Sequence, residues 1–72
     1  MKKQTFINQM KARGYELTYV NGNITATKGG NTVRLVPLAN YGISIVTPSV
    51  KAITRKDATD DETMRIVAGL TD

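Results

Sequence analysis

Apolar residues recur at helical spacing near both ends of the chain and at every second position between them. Near the start, Phe6, Ile7 and Met10 occupy positions i, i+1 and i+4, which form one stripe on a helix. This spacing predicts a helix over residues 3–13, and Gly14 is placed to end it in a left-handed conformation.

From residue 15 to residue 47 the alternation of apolar and polar residues predicts β-strands. Asn21-Gly22 is typical of a two-residue type I′ hairpin turn, because both central residues need a positive φ. Gly29-Gly30 marks a second turn, and the sequence ANYG marks a third. Pro37 and Pro48 should end the third and fourth strands, because proline cannot donate to a sheet ladder. The predicted strands cover residues 15–20, 23–28, 31–36 and 43–47.

The alternation divides the strand residues between an apolar face, which must be covered, and a polar face rich in threonine. Tyr15 and Tyr19 fall on the apolar face, and we expect both rings to be buried. The polar face carries three valines as well as Glu16, Thr18, Thr25, Thr27, Thr32, Arg34 and Ser44. The predicted core consists of Phe6, Ile7, Met10, Leu17, Tyr19, Ile24, Val33, Leu35, Ile43, Ile45, Met64, Val67 and Leu70.

A second helix is predicted at the end of the chain. Thr59 and Glu62 have the spacing of a capping box, in which the threonine hydroxyl accepts from the glutamate N–H and the glutamate reaches back. The two aspartates between them fall in the first turn, where the helix dipole favours negative charge. Met64 and Val67 begin an apolar stripe, and Gly69 is expected to end the helix.

The segment between the last predicted strand and this helix allows two interpretations. It is either a short helix capped by Ser49, with Val50 and Ile53 turned inward, or an irregular crossover. Both interpretations leave its basic side chains in solvent, namely Lys51, Arg55 and Lys56.

These elements predict one α+β domain spanning residues 1–72. It contains an N-terminal helix, a four-stranded antiparallel β-meander and a C-terminal helix, with both helices on one sheet face.

The residue types present exclude several kinds of chemistry. With no histidine and no cysteine, the chain cannot form a disulfide or a histidine- and cysteine-based zinc site, and it lacks the usual general base near neutral pH. The sequence TKGG around Lys28 does not have the order of a phosphate-binding loop. Oxygen ligands at residues 57–62 would suit magnesium, but helix capping explains those acids more simply. We therefore expect no cofactor, no metal and no enzymatic activity.

Location is also predicted from composition. No apolar run approaches the roughly 20 residues of a membrane span. Polar residues interrupt the first ten positions where a signal peptide would be apolar. We expect a cytoplasmic protein that does not contact a membrane.

Charge is unevenly distributed along the chain. The first 56 residues contain nine basic residues and one acid, whereas the last sixteen contain five acids and one basic residue, for a net charge of +4. Such asymmetry favours an anionic partner, because a local potential steers association. The candidate binding residues are Lys11, Arg13, Lys28, Arg34, Lys51, Arg55 and Lys56.

The predicted order of elements is similar to that of the double-stranded-RNA-binding domain and of the HicA-type mRNA-interferase toxins. Residues 6–23, FINQMKARGYELTYVNGN, resemble the helix–glycine–aromatic–strand opening of the toxins. Their catalytic histidine after the first strand has no counterpart in VNGNITAT, and TDDE replaces the lysine cluster of the RNA-binding domains. We assign no family, because topology alone does not carry function.

Two functions remain as hypotheses. In the first, the basic surface of a non-catalytic protein engages nucleic acid or an acidic protein. Because the polar sheet face lacks aromatic residues for base stacking, a duplex backbone is the favoured nucleic-acid target. In the second, the chain is a protein-interaction module or an inhibitor of the phage or mobile-element type. It would then act through the open sheet face or an edge strand, including as a homodimer.

Overall fold

The structure is a computed structural model that describes residues 1–36 and 41–72. In these residues two helices and a five-stranded antiparallel sheet make up an α+β fold, and the strands lie in the sheet in their order along the chain. The elements are α1 (Lys3–Ala12), β1 (Glu16–Val20), β2 (Asn23–Lys28), β3 (Asn31–Leu35), β4 (Tyr41–Val46), β5 (Lys51–Arg55) and α2 (Asp60–Thr71). The predicted strand end at Pro37 and the start of the predicted ANYG turn lie outside the described residues.

Helix α1 ends as its sequence predicts. Gly14 has a φ of 85°, and its N–H donates to the carbonyl of Lys11 at 3.0 Å. The N–H of Tyr15 donates to the carbonyl of Met10, also at 3.0 Å. These two bonds form a Schellman motif, which turns the chain directly from the helix into β1.

The first hairpin is also confirmed. Asn21 and Gly22 have φ values of 51° and 79°, as a type I′ turn requires. Val20 and Asn23 face each other across the turn, and this pair sets the register of β1 and β2.

The number of strands was predicted wrongly, because residues 51–55 form a fifth strand paired with β4. Neither a short helix nor an irregular crossover is present there. The inward positions of β5 carry Ala52 and Thr54, which are too small or too polar to produce an apolar alternation. Val50 and Ile53, which the short-helix interpretation turned inward, are 38% and 56% exposed.

A backbone contact explains how a threonine fits in the interior. The Thr54 hydroxyl is buried and accepts a hydrogen bond from the N–H of Ile43 at 2.9 Å. Gly42 makes room for it, since a Cβ at that position would lie 2.6 Å from Thr54 Oγ1. Strand β4 is irregular between Tyr41 and Ser44, where the register with β5 shifts.

Buried side chains from both helices and from strands β2, β3 and β4 form the core. The buried apolar residues are Phe6, Met10, Tyr15, Ile24, Ala26, Val33, Ile43, Ile45, Met64 and Val67. The partly buried residues packed against them are Met1, Ile7, Leu17, Leu35 and Leu70. Tyr19 was predicted wrongly as a core residue, because it lies on an edge strand with 59% of its surface exposed.

Helix α2 begins at the predicted cap but continues past its predicted end. The Thr59 hydroxyl accepts from the N–H of Glu62 at 3.1 Å, which is the threonine half of a capping box. The helix includes Gly69 and extends to Thr71, whose hydroxyl donates to the carbonyl of Val67. Asp72 still donates its N–H to Ala68, so a glycine-induced stop at Gly69 does not occur.

Candidate functional site

The strand register places five side chains in one row across the sheet, on the side opposite the buried strand residues. In this row Thr18 pairs with Thr25, Thr25 with Arg34, Arg34 with Ser44, and Ser44 with Ile53. A parallel row runs through Glu16, Thr27, Thr32, Val46 and Lys51. Arg55 points to the same side of the sheet as Lys51 and Ile53, because side chains alternate along a strand. We call the two rows together with Arg55 the open face.

Positive charge on the open face is concentrated towards β5. Arg34, Lys51 and Arg55 are all exposed, and Lys56 follows in the next turn, also exposed. Among the described residues of the open face, the one acidic side chain is that of Glu16, which lies on the opposite edge strand. The potential of the face is therefore positive over β3 to β5 and falls towards β1.

One of these cations has an acidic neighbour. Arg55 Nε donates to Asp57 Oδ1 at 3.2 Å, and the two side chains are 84% and 73% exposed. An exposed pair of this kind contributes only about 0.2–1 kcal/mol. The Arg55 guanidinium can therefore exchange Asp57 for another anion at little cost.

A shallow depression of about 270 Å³ lies in the middle of the open face. Its lining consists of Thr25, Thr32, Arg34, Ser44 and Val46. Three hydroxyls and one guanidinium thus surround the same space, and each can donate a hydrogen bond to an anionic oxygen.

The remaining predicted residues lie elsewhere, around the end of α1. Lys28 is on the same side of strand β2 as the buried residues Ile24 and Ala26. Its Nζ donates to the carbonyl of Arg13 at 2.8 Å. The same ammonium lies 5.8 Å from the centroid of the Tyr15 ring. Lys28 is therefore already engaged by the carbonyl of the residue that caps α1, Arg13, and by an aromatic face.

A groove of about 460 Å³ adjoins this second group. Arg13 and Lys28 line it together with Asp72. The buried Nε of Arg13 has no hydrogen-bond partner among the described residues. The carboxylate of Asp72 lowers the attraction of this groove for an anion, so the open face is the more strongly cationic of the two surfaces.

The seven predicted binding residues consequently divide into two groups. Arg34, Lys51 and Arg55 share the open face with Lys56 beside it, whereas Lys11, Arg13 and Lys28 lie around the end of α1. Sequence reasoning placed the threonines of β1 to β3 on the polar face but missed Ile53 and the alignment of Lys51 with it. The sequence KAITR has no apolar alternation of its own, so this strand is recognised only through its pairing with β4.

Two structural features are absent from residues 1–36 and 41–72. No group of three or more histidine, cysteine, aspartate or glutamate side chains in these ranges is arranged to hold a metal ion. In the same part of the chain, no helix has the length and apolar character needed to cross a membrane.

No protein-family profile, curated protein or solved structure matches the chain. Function is therefore inferred from the chemistry of the open face.

Proposed function

We propose that the protein is a non-catalytic binding protein whose open face contacts the phosphate backbone of a duplex nucleic acid. The observation that supports this proposal is the register that aligns Arg34, Lys51 and Arg55 on one face among hydroxyl groups. Both helices are taken to cover the opposite face, since Phe6 and Val67 belong to the same core as the inward strand residues. The open face is then free to meet a large partner.

The side chains of the open face suit phosphate more than they suit bases. Arginine, lysine, threonine and serine are typical donors to phosphate oxygens and carry no sequence information by doing so. Among the described side chains, the open face has no aromatic ring on which an unpaired base could stack. Contact with a duplex backbone requires no such ring.

The spacing of the cations is also compatible with a duplex. Arg34 and Lys51 are two strands apart across the sheet and two residues apart along it, or about 12 Å, and Lys51 and Arg55 are four residues apart, or about 13 Å. The grooves of a DNA duplex are about 6 and 12 Å wide. Cations at these separations can contact phosphates on both sides of one groove.

Charge removal from the open face tests the proposal. The variant Arg34→Gln/Lys51→Gln/Arg55→Gln should bind random-sequence duplex much more weakly than the native chain. Its dependence on salt should also be shallower, by up to about 0.9 in log–log slope for each phosphate that the variant no longer neutralises. Titration of labelled DNA and RNA duplexes at two salt concentrations measures both quantities.

A matched control removes the same charge elsewhere. Lys2→Gln/Lys3→Gln/Lys11→Gln eliminates three exposed cations of the α1 region and should keep most of the affinity. If the two triple variants lost the same amount of duplex affinity, binding would depend on net charge alone, and the open face would not be the binding surface. Absence of duplex binding by the native chain at low salt would reject a nucleic-acid function.

Exposed aliphatic side chains favour a second candidate, which is binding of a protein through the same face. Ile53 is 56% exposed at one edge of the open face, and Val20 is 57% exposed near the other. Contacts made by these side chains would be insensitive to salt, in contrast to phosphate contacts. Ile53→Ser, which leaves every cation in place, should weaken a protein complex and leave duplex binding unchanged.

A further inference from the structure

The two edges of the sheet differ in how they are protected against pairing. Among the residues that the structure describes, the strands lie in the order β1 to β5, and β1 and β5 each have one side without a neighbouring strand. Strand β5 carries Lys51 and Arg55, and charged side chains of this kind discourage edge-to-edge pairing. Strand β1, with the sequence ELTYV, carries no proline, no basic residue and a single acid at its first position.

The hairpin turn determines which backbone groups of β1 are free. In a two-residue turn the flanking residues, Val20 and Asn23, form a hydrogen-bonded pair. Antiparallel strands alternate hydrogen-bonded and non-hydrogen-bonded pairs, so Leu17 and Tyr19 are the positions not bonded to β2. Their N–H and C=O groups therefore point away from β2, towards the open edge.

Three of the five side chains of β1 are apolar or aromatic, namely Leu17, Tyr19 and Val20. Tyr19 and Val20 are 59% and 57% exposed, and Leu17 is only partly buried. An edge that combines free backbone groups with exposed apolar side chains is a template for another strand.

We propose that two copies of the chain associate through β1, in antiparallel orientation and centred on Thr18. In this register Leu17 of each copy faces Tyr19 of the other. The four free backbone groups of each strand then form four intermolecular hydrogen bonds in total. Each leucine side chain also packs beside a tyrosine ring, which is a favourable cross-strand pair.

Charge favours this pairing over the equivalent one at β5. The two Glu16 carboxylates fall at opposite ends of the joined strands, about 14 Å apart, which is beyond the screening length of about 8 Å at physiological salt. A β5 pair centred on Ile53 would instead place Lys51 directly opposite Arg55 of the second copy. Like charges in directly opposed positions are destabilising.

Disulfide trapping tests the register directly, because the chain contains no cysteine. The two Thr18 residues would form a non-hydrogen-bonded pair with Cα atoms about 4.5 Å apart, within the range that a disulfide spans. Oxidised Thr18→Cys should run as a covalent dimer of twice the 7.9 kDa chain mass. Ile53→Cys, an exposed position on the other edge, should stay monomeric under the same oxidation. Equal trapping at both positions, or trapping at residue 53 alone, would overturn the proposal.

Solution mass tests the same interface without a covalent bond. Native protein should show twice the chain mass in a dilution series, and Tyr19→Pro should shift it to 7.9 kDa. Proline is tolerated at this position of an edge strand because the N–H that it removes faces solvent, so the circular dichroism spectrum should be unchanged.

Two charge variants complete the set. Thr18→Lys places two ammonium groups opposite each other and should also give a monomer, whereas Ile53→Lys adds the same charge at β5 and should preserve the dimer. A native protein that is monomeric throughout the dilution series, or a dimer that survives both Tyr19→Pro and Thr18→Lys, would overturn the assignment.

Discussion

At the scale of single residues, the missing side chain of Gly42 lets Thr54 pack against strand β4. The Thr54 hydroxyl bonds to the backbone of β4, and a Cβ at residue 42 would lie 2.6 Å from that hydroxyl and 3.1 Å from the Arg55 carbonyl. The backbone atom cannot move away as a side chain could. Gly42→Ala should therefore lower the free energy of unfolding by about 1–3 kcal/mol, measured by urea denaturation. An unchanged midpoint would mean that β5 does not dock in this way.

Gly69, unlike Gly42, has room for a side chain. It lies inside α2, and an added Cβ there meets no atom within 4 Å. Gly69→Ala should raise the free energy of unfolding by about 0.5–1 kcal/mol, because alanine loses less backbone entropy in a helix. The same urea titration measures this change, and a lower free energy of unfolding would show that the helix does not extend through this position.

At the scale of elements, the cap of α2 gives the clearest prediction. Thr59→Ala removes the acceptor for the Glu62 N–H and should cost about 1 kcal/mol of stability. Ser49→Ala is a suitable control, because it also removes one exposed hydroxyl, from the turn before β5. Thermal unfolding of the two variants should differ in midpoint, and equal midpoints would contradict the cap.

The same scale shows which parts of the fold the sequence predicts and why. The start of α2, the end of α1 and the first hairpin depend on interactions within a few residues, and all three were predicted correctly. Strand β5 depends on its pairing with β4 and on the room left by Gly42, which no local pattern reveals.

The sequence predicts which side of the sheet a residue faces more reliably than how deeply that residue is buried. Alternation placed Tyr19 on the same side as the core residues, but it cannot tell an edge strand from a central one. Alternation also placed the hydroxyl side chains on the open face correctly. It did not reveal that Lys51 and Arg55 share that face with Arg34, because this depends on the pairing of β5 with β4.

At the scale of the whole molecule, the two proposed contacts should respond differently to salt. Duplex binding through Arg34, Lys51 and Arg55 should weaken steeply between about 50 and 200 mM salt, because condensed counterions are released on binding. Pairing through β1 depends on backbone hydrogen bonds and apolar side chains, so the mass in solution should stay constant over that range. Mass and affinity measured in the same buffers would separate the two, and a dimer that dissociates with salt would contradict edge pairing.

The unequal protection of the two edges also determines where assembly stops. Pairing through β1 would use the edge of each copy that carries no basic residue, and would create a sheet of ten strands that ends in β5 on both sides. Both ends then carry Lys51 and Arg55, which repel a further copy. The contact would use the same surface patch on both partners, so a pair has no free copy of that patch left to bind a third chain. A chain with two edges open to pairing would grow into fibres, whereas the proposed β1 contact would stop at a closed pair.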